Sequence, residues 1–164
     1  MRSWQRCNQF PKTHAITRKD ELARNISKMQ QIYTVRDFDF LPSSFVLPGD
    51  MPAFRAAFAK HESYTWIVKP SNSSCGKGIF VTSELKEILN PQFEKDCTYV
   101  VSRYIDRPLL VDSLKFDMRI YVAVTSFDPL TVYVYRDGLA RFATEKYTND
   151  PDSHKSRFQH LTKL

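Results

Sequence analysis

Lys115-Phe116-Asp117-Met118-Arg119 opens a run of strand-forming residues near the middle of the second half of the chain. Alternate positions along a strand point to opposite faces, so Lys115, Asp117 and Arg119 share one face and apolar side chains occupy the other. Two cations and a carboxylate on one face favour a site for a charged ligand over a plain solvated edge whose charges serve only to block aggregation.

The composition predicts a globular protein with a sizeable core. The chain has 164 residues, of which 42% are hydrophobic and 13% aromatic, which suits one domain of ordinary size. It contains no run of about 18 apolar residues, and its N-terminus lacks the apolar stretch of a signal peptide. We therefore expect no membrane insertion and a cytoplasmic location.

The cysteines and histidines do not have the spacing of metal ligands. Three cysteines that are far apart, with no C-x-x-C pair, argue against both a disulfide framework and a zinc site. The histidines are also isolated, so no metal is assigned to any of these residues: Cys7, Cys75, Cys97, His14, His61, His154 and His160.

The net charge of +6 is concentrated near the N-terminus. Residues 1–40 contain eight Lys or Arg against four Asp or Glu. Such a bias can attract an acidic protein tail, nucleic acid or anionic lipid, although a solvated helix face has the same composition. Without an RNA-binding aromatic motif, a zinc finger or a long basic tract, no nucleic-acid partner is expected.

Two helices are indicated in the first half of the chain. An apolar stripe predicts a helix over 18–33, and Thr17 with Asp20 resembles a capping box at its start. Asp50 can cap a second helix that has Pro52 in its first turn.

The remaining elements are mostly short strands. Strands are predicted over 65–69, 78–82 and 99–104, with a helix over 84–89. Asp137-Gly138 between two apolar runs predicts a two-residue hairpin turn. The fold class is therefore α+β, with a mostly antiparallel sheet and flanking helices.

The loop SNSSCGKG, residues 71–78, is the second chemical feature. Small residues let backbone amides approach phosphate oxygens, and Lys69 or Lys77 can neutralise them. The loop is not a P-loop, which would need Gly at Ser71, Ser or Thr at Gly78, and a helix after it. A nucleotide lid of the kind found in ATP-grasp enzymes is one interpretation, and a commonplace Ser/Gly connection is the other.

Taken together, these segments resemble the tubulin tyrosine ligase-like enzymes, especially their glutamylase branch. The likeness extends from about residue 8 to residue 162. The segments that carry it are Phe10-Pro11, Thr17-Arg18-Lys19-Asp20, Trp66-Ile67-Val68-Lys69-Pro70, Gly76-Lys77-Gly78-Ile79, Val101-Ser102-Arg103-Tyr104-Ile105, Pro108-Leu109-Leu110, Lys115-Phe116-Asp117-Met118-Arg119 through Val124-Thr125-Ser126, Asp128-Pro129-Leu130 and Gly138-Leu139-Ala140-Arg141-Phe142-Ala143-Thr144.

The resemblance implies a truncated ATP-grasp-like fold in three parts. These are the end of an N-terminal region with a basic helix (1–40), a central subdomain with the lid loop (41–105) and an incomplete C-terminal subdomain (106–164). It also implies an ATP-dependent ligase that joins free glutamate to glutamate side chains of tubulin tails or other acidic proteins through an acyl phosphate. A monomer at the cytoskeleton, cilium or basal body is expected.

The resemblance also implies roles for individual residues. Hinge contacts to adenine usually come from backbone, so ordinary strand packing is an equal alternative for the side chains of Arg103 and Tyr104. The implied roles are phosphate binding for Lys69, lid positions for Cys75 and Gly76, the adenine hinge for Ser102, Arg103, Tyr104 and Ile105, ribose and phosphate contacts for Lys115 and Asp117, nucleotide binding for Thr162, and catalytic charge stabilisation for Arg119 and Arg141, with Arg141 also contacting the incoming glutamate.

Two features depart from the family pattern. Cys75 stands where the family usually has Gln or Arg, so the short side chain leaves the choice of acceptor open. The chain ends at Leu164, before the acidic and Asn residues expected to hold Mg²⁺, so we assign the cofactors ATP and Mg²⁺ but no metal ligand. A partial chain of this kind is expected to be catalytically silent, with exposed apolar faces on the strands of 115–144.

Two alternatives to the glutamate ligase remain. One is a non-catalytic module whose basic N-terminal helix binds acidic tails. The other is an ATP-grasp ligase for another amino acid, such as tyrosine or glycine, which fits the glutamylase-like segments 101–105 and 139–144 less well.

Overall fold

The computed structural model describes residues 4–5, 7, 9–73, 77–89 and 97–150. The chain divides into two compact units, unit 1 at Met1–Tyr104 and unit 2 at Ile105–Leu164. The three-part organisation inferred from the sequence stays a prediction.

Unit 1 combines helices with one antiparallel sheet. Its elements are α1 (His14–Thr17), α2 (Lys19–Ile32), a 3-10 turn (Arg36–Phe38), β1 (Ser44–Leu47), α3 (Met51–Lys60), β2 (Trp66–Pro70), β3 (Phe80–Thr82), α4 (Leu85–Ile88) and β4 (Tyr99–Arg103). The strand order is β1-β4-β2-β3, and each neighbouring pair is antiparallel. The predicted strands and the helix over 84–89 are confirmed, with ends that differ by at most two residues.

An aromatic core covers one face of this sheet. Trp66 and Val68 of β2 are fully buried there with Phe54 of α3. The Phe54 and Trp66 rings meet edge to face, with centroids 5.2 Å apart, which is a favourable aromatic geometry. Burial of each large apolar side chain contributes about 1.5–3 kcal/mol, so this cluster is the main source of stability in unit 1.

The predicted helix over 18–33 is confirmed as α2, but the predicted capping box is wrong. The Thr17 hydroxyl donates to the Thr13 carbonyl, 3.0 Å away, because Thr17 is the last residue of α1. The buried Asp20 carboxylate accepts two hydrogen bonds from the Arg18 guanidinium at 3.2 and 3.1 Å. Those bonds hold the pKa of Asp20 below its ordinary value.

Asp50 begins α3 as predicted, although its carboxylate does not cap the helix. It accepts a hydrogen bond from the Val46 backbone N–H at 2.7 Å. The side chain therefore ties the start of α3 to β1.

Unit 2 is a three-stranded antiparallel sheet dominated by one long hairpin. The strands are β5 (Leu110–Val111), β6 (Leu114–Phe127) and β7 (Leu130–Lys146), in that order. The hairpin turn lies at Asp128-Pro129, so the turn predicted at Asp137-Gly138 is wrong. Proline cannot donate to a strand ladder, which makes Asp128-Pro129 the better place to interrupt it. The mixed helices and antiparallel sheets confirm the α+β class.

Asp137-Gly138 instead forms part of a bulge inside β7. Between the pairs Ile120↔Gly138 and Val122↔Val134, one residue of β6 faces three residues of β7. An ideal Cβ at Gly138 would lie 2.5 Å from the Arg119 carbonyl oxygen. Glycine is thus required for close approach of the two backbones, not for a turn.

One face of the hairpin is apolar and open, as expected from the sequence. Met118 is 69% exposed and Ile120 is 59% exposed, although Phe116 and Phe142 stack with ring centroids 5.6 Å apart. Within the described ranges no helix is long and apolar enough to cross a membrane.

We predict that Gly138→Ala destabilises the protein by roughly 1–3 kcal/mol, because a β-carbon there would push β6 and β7 apart. Asp137→Ala is the matched control. It should change the free energy of unfolding by less than about 0.5 kcal/mol, because Asp137 is an exposed strand residue. Chemical denaturation measures both variants. A larger loss for Asp137→Ala than for Gly138→Ala would instead support a turn at this position.

Candidate functional site

Lys69 lies near the end of β2, on the sheet face opposite the aromatic core. It pairs with Val100 of β4, while Ile67 pairs with Ser102 on the same face. The side chain is half-buried, and no carboxylate within the described residues forms an ion pair with it. Burial, followed by repulsion from the Lys19 ammonium, lowers the pKa of Lys69. A half-buried cation beside a second cation suits an anionic ligand.

The turn after Lys69 is held by its own side chains. The Ser71 backbone N–H and hydroxyl both donate to the Thr98 carbonyl, at 2.9 and 2.7 Å. The Ser73 hydroxyl donates to the Lys77 carbonyl at 2.7 Å, which joins the two ends of the loop. Gly78 has φ +69°, a conformation that favours glycine. The base of the loop is therefore well defined, while Cys75 and Gly76 lie outside the described residues.

The Ser102 hydroxyl has a definite hydrogen-bond direction. The Ser44 hydroxyl gives its single proton to the Pro42 carbonyl at 2.8 Å, because a carbonyl can only accept. The 2.8 Å contact between the Ser44 and Ser102 hydroxyls must therefore use the Ser102 proton. Ser102 is buried, and its hydroxyl, whose proton is already used, can offer a ligand only its lone pairs.

The other predicted hinge residues make contacts of their own that do not involve Lys69. The Arg103 guanidinium lies over the Tyr64 ring, 4.1 Å from its centroid, on the face of the aromatic core. Tyr104 is buried and donates its N–H to the Thr65 carbonyl, and Ile105 is exposed in unit 2. The contact of Arg103 is thus a packing contact, and a hinge role for this segment stays a prediction.

In unit 2, Asp117 and Arg141 form a bidentate ion pair. They are directly paired across β6 and β7, and both guanidinium–carboxylate contacts measure 2.7 Å. Hydrogen bonding to Asp117 raises the pKa of Arg141 further above its ordinary value. The fork geometry of arginine fits such a pair, so Arg141 is engaged by a carboxylate of the chain itself.

Two further predicted residues share this charged face. Arg119 forms no ion pair within the described part of the chain. The Lys115 ammonium lies over the Tyr147 ring, 5.9 Å from its centroid. Thr162 lies outside the described residues. The roles given to Lys115, Asp117, Arg119 and Arg141 stay predictions, as does that of Thr162.

Sequence reasoning gave no role to Lys19, which the structure brings beside Lys69. Lys19 is the first residue of α2, and its ammonium donates to the carbonyls of Pro70 and Ser73. The available sequence signal was a cation at the positive end of a helix dipole, where a carboxylate is preferred.

The resemblance implies two ligands, ATP and Mg²⁺, and the described residues of the site fit the first better than the second. Lys69, Lys19 and the small-residue turn suit the phosphates of a nucleotide. The described residues contain no group of three or more His, Cys, Asp or Glu that could hold a metal ion. Asp117, the carboxylate among the predicted site residues, is already engaged by Arg141.

A cationic strand end beside a small-residue loop, in an α+β chain, is compatible with the ATP-grasp-like fold that the resemblance implies. The model of the tubulin-tyrosine ligase family matches residues 1–164. The chain therefore belongs to that family.

Three similar proteins are tubulin-modifying enzymes by name. Tubulin polyglutamylase TTLL5 of Homo sapiens is 43% identical over 159 residues, which cover 96% of this chain and 12% of the relative. Tubulin monoglutamylase TTLL4 of Mus musculus is 43% identical over 162 residues, 99% of this chain and 13% of the relative. Probable alpha-tubulin polyglutamylase Ttll1 of Tetrahymena thermophila is 40% identical over 181 residues, 96% of this chain and 44% of the relative. The chain thus spans less than half the length of each of these relatives.

We predict that Lys69→Met stabilises the protein in the absence of ligand. The lowered pKa means that folding disfavours the charged lysine, and this cost applies at neutral pH. Its removal should raise the melting temperature by roughly 2–4 °C. The gain should shrink as the pH rises towards 10.5, the ordinary pKa of lysine, because the unfolded chain then loses its proton too. An unchanged or lower melting temperature at pH 7 would mean that Lys69 already has a compensating partner.

We also predict that Asp117 and Arg141 act as a unit. Asp117→Asn and Arg141→Lys should each lower the melting temperature by a few degrees, because each breaks the two-pronged pairing. The double variant should lose little more than the worse single variant, because the interaction is already gone. Arg119→Lys, on the same face without an ion pair, is the matched control and should leave the melting temperature unchanged. Additive losses in the double variant would contradict a direct pairing.

Proposed function

We propose that this protein is an ATP-dependent ligase that attaches glutamate to glutamate side chains of tubulin or other acidic proteins. The observation that carries the proposal is Lys69, a half-buried cation without a carboxylate partner in the described residues, next to a small-residue turn. Family membership and the names of the similar proteins supply the reaction class.

The proposed reaction has two steps. An acceptor carboxylate oxygen attacks the γ-phosphoryl group of ATP, forming an acyl phosphate and releasing ADP. The amine of free glutamate then attacks the acyl carbon, phosphate leaves with the electron pair of the broken bond, and the amine loses a proton. ATP is needed because a carboxylate is a poor electrophile.

The chain's contribution to this reaction is electrostatic. Lys69 would present its positive charge to the phosphate oxygens, and a fixed charge of this kind stabilises charge that spreads over a transferring phosphoryl group. Mg²⁺ commonly supports such chemistry, and the described residues contain no group of three or more His, Cys, Asp or Glu that fits it.

We propose that the residues of unit 2 keep the roles that the resemblance implies: Lys115 and Asp117 contact the ribose and phosphates, Arg119 and Arg141 stabilise charge in catalysis, and Arg141 contacts the incoming glutamate. Asp117, held by Arg141, would present its carboxylate edge to the nucleotide ribose. Arg119 would meet a carboxylate or phosphoryl oxygen. Cys75, Gly76 and Thr162 keep their proposed lid and nucleotide roles, and Cys75 its proposed contact with the acceptor.

The partners and location follow from the proposed substrate. With acidic tubulin tails as the acceptor, we propose a cytoplasmic location at the cytoskeleton, with the cilium or basal body as the finer proposal. We propose that it acts there as a monomer with free glutamate.

The non-catalytic alternative receives less support from the charges on α2. Arg18 pairs with Asp20, and Arg24 lies 3.7 Å from Asp20 and 3.6 Å from Glu21. These pairs reduce the positive charge that α2 can offer to an acidic tail.

The test is glutamate incorporation into tubulin with MgATP, beside a direct measurement of ATP affinity. In an active form of the protein, we predict that Lys69→Met weakens ATP binding and lowers incorporation by about 10²-fold or more, because the charge facing the phosphates is lost. Lys60→Met, an exposed lysine at the end of α3, is the matched control and should behave as the wild type. Normal ATP affinity and turnover in the Lys69 variant would exclude the nucleotide site proposed here.

A further inference from the structure

Lys19 connects two parts of the chain that are distant in sequence. Its ammonium donates to the Pro70 carbonyl at 3.0 Å and, in a shorter contact, to the Ser73 carbonyl. These oxygens lie at the two ends of the turn that follows Lys69, so one side chain at the start of α2 spans the whole turn.

The position of Lys19 runs against local helix preference. A cation in the first turn of a helix opposes the helix dipole. The adjacent carboxylate does not compensate, because Asp20 faces Arg18 and Arg24. Residues that break a local rule are common at functional sites, and here the two carbonyls explain why a lysine is needed.

Lys19 is one of several ties on this turn. Ser71 attaches it to Thr98 just before β4, and Ser73 attaches it to Lys77 across the loop. The lysine adds the one tie between the turn and α2 among the described residues. Because the carbonyls of Pro70 and Ser73 both point at the same ammonium, the backbone between them has little freedom to rotate.

We propose that Lys19 is a positioning residue that fixes the Pro70–Ser73 turn, and with it the ammonium of Lys69, for the phosphates of the nucleotide. This inference rests on the proposed function. Its action passes through the backbone of the turn, so ATP affinity should depend on Lys19 while the affinity for free glutamate should not.

The experiment compares Lys19→Met, Lys19→Arg and Lys28→Met in the 164-residue chain. Methionine keeps the length of the side chain without donors, and arginine restores both donors and charge. Lys28 is an exposed lysine of the same helix and serves as the matched control. Lys19→Gln, whose amide is too short to reach both carbonyls, replaces the methionine variant if circular dichroism shows that the latter is unfolded.

The first readout is hydrogen exchange of the peptide that covers residues 70–80, without nucleotide. We expect exchange about tenfold faster in Lys19→Met, because hydrogen bonds from a charged group are lost, and near-normal exchange in Lys19→Arg and Lys28→Met. Unchanged exchange in Lys19→Met would overturn the proposal. This readout needs no ligand. It therefore tests whether Lys19 holds the turn, independently of the proposed ligase activity.

The second readout is MgATP affinity. We expect a loss of about tenfold in Lys19→Met and recovery in Lys19→Arg. In an active form of the protein, the Michaelis constant for glutamate should be unchanged. Faster exchange with normal ATP affinity would reduce Lys19 to a purely structural tie and overturn its positioning role. Weaker ATP binding with normal exchange would show direct action on the nucleotide and also overturn it. Failure of the wild type to bind MgATP would instead overturn the proposed function.

Discussion

Alternation along β2 is the constraint on which the rest of unit 1 depends. Trp66 and Val68 fill the aromatic core with Phe54, so the residue between them and the residue after them must point to the other face. That geometry delivers Lys69 to the side of the sheet where Ser102 and α2 lie. A shift of β2 by one residue would bury the lysine in the core and expose the tryptophan. The stability of the core therefore sets the position of the proposed phosphate contact.

The two units handle their charges in opposite ways. In unit 1, Lys69 and Lys19 are close enough to repel, and the neighbouring acid, Asp20, is bound to arginines. In unit 2, Asp117 and Arg141 satisfy each other across the hairpin. Unbalanced charge reduces stability without a ligand and increases the gain when an anion binds. The proposed phosphate site therefore falls in unit 1, whereas the charged face of unit 2 is already partly neutralised.

The sequence predicted local structure well where local forces decide it. The apolar stripe located α2, and Asp50 located the start of α3. The hairpin turn predicted at Asp137-Gly138 was wrong because the same dipeptide suits a turn and a bulge. Only the pairing with the partner strand decides between the two. The capping box predicted at Thr17 was wrong because α1, a single turn that ends at this residue, was not predicted. In each error a neighbouring element outweighed the local preference.

The candidate site was predictable in its residue types but not in its contacts. Strand alternation placed Asp117 and Arg119 on one face without any knowledge of β7. The pairing of Asp117 with Arg141 depends on a register that the bulges of β7 set, and sequence alone does not supply that register. The contacts of Lys19 are harder still to predict from the sequence. Its partners are more than fifty residues away, and they are backbone carbonyls, which every residue type has. A cation at the start of a helix was the one available sign, and it gains meaning only once the turn after β2 is seen beside it.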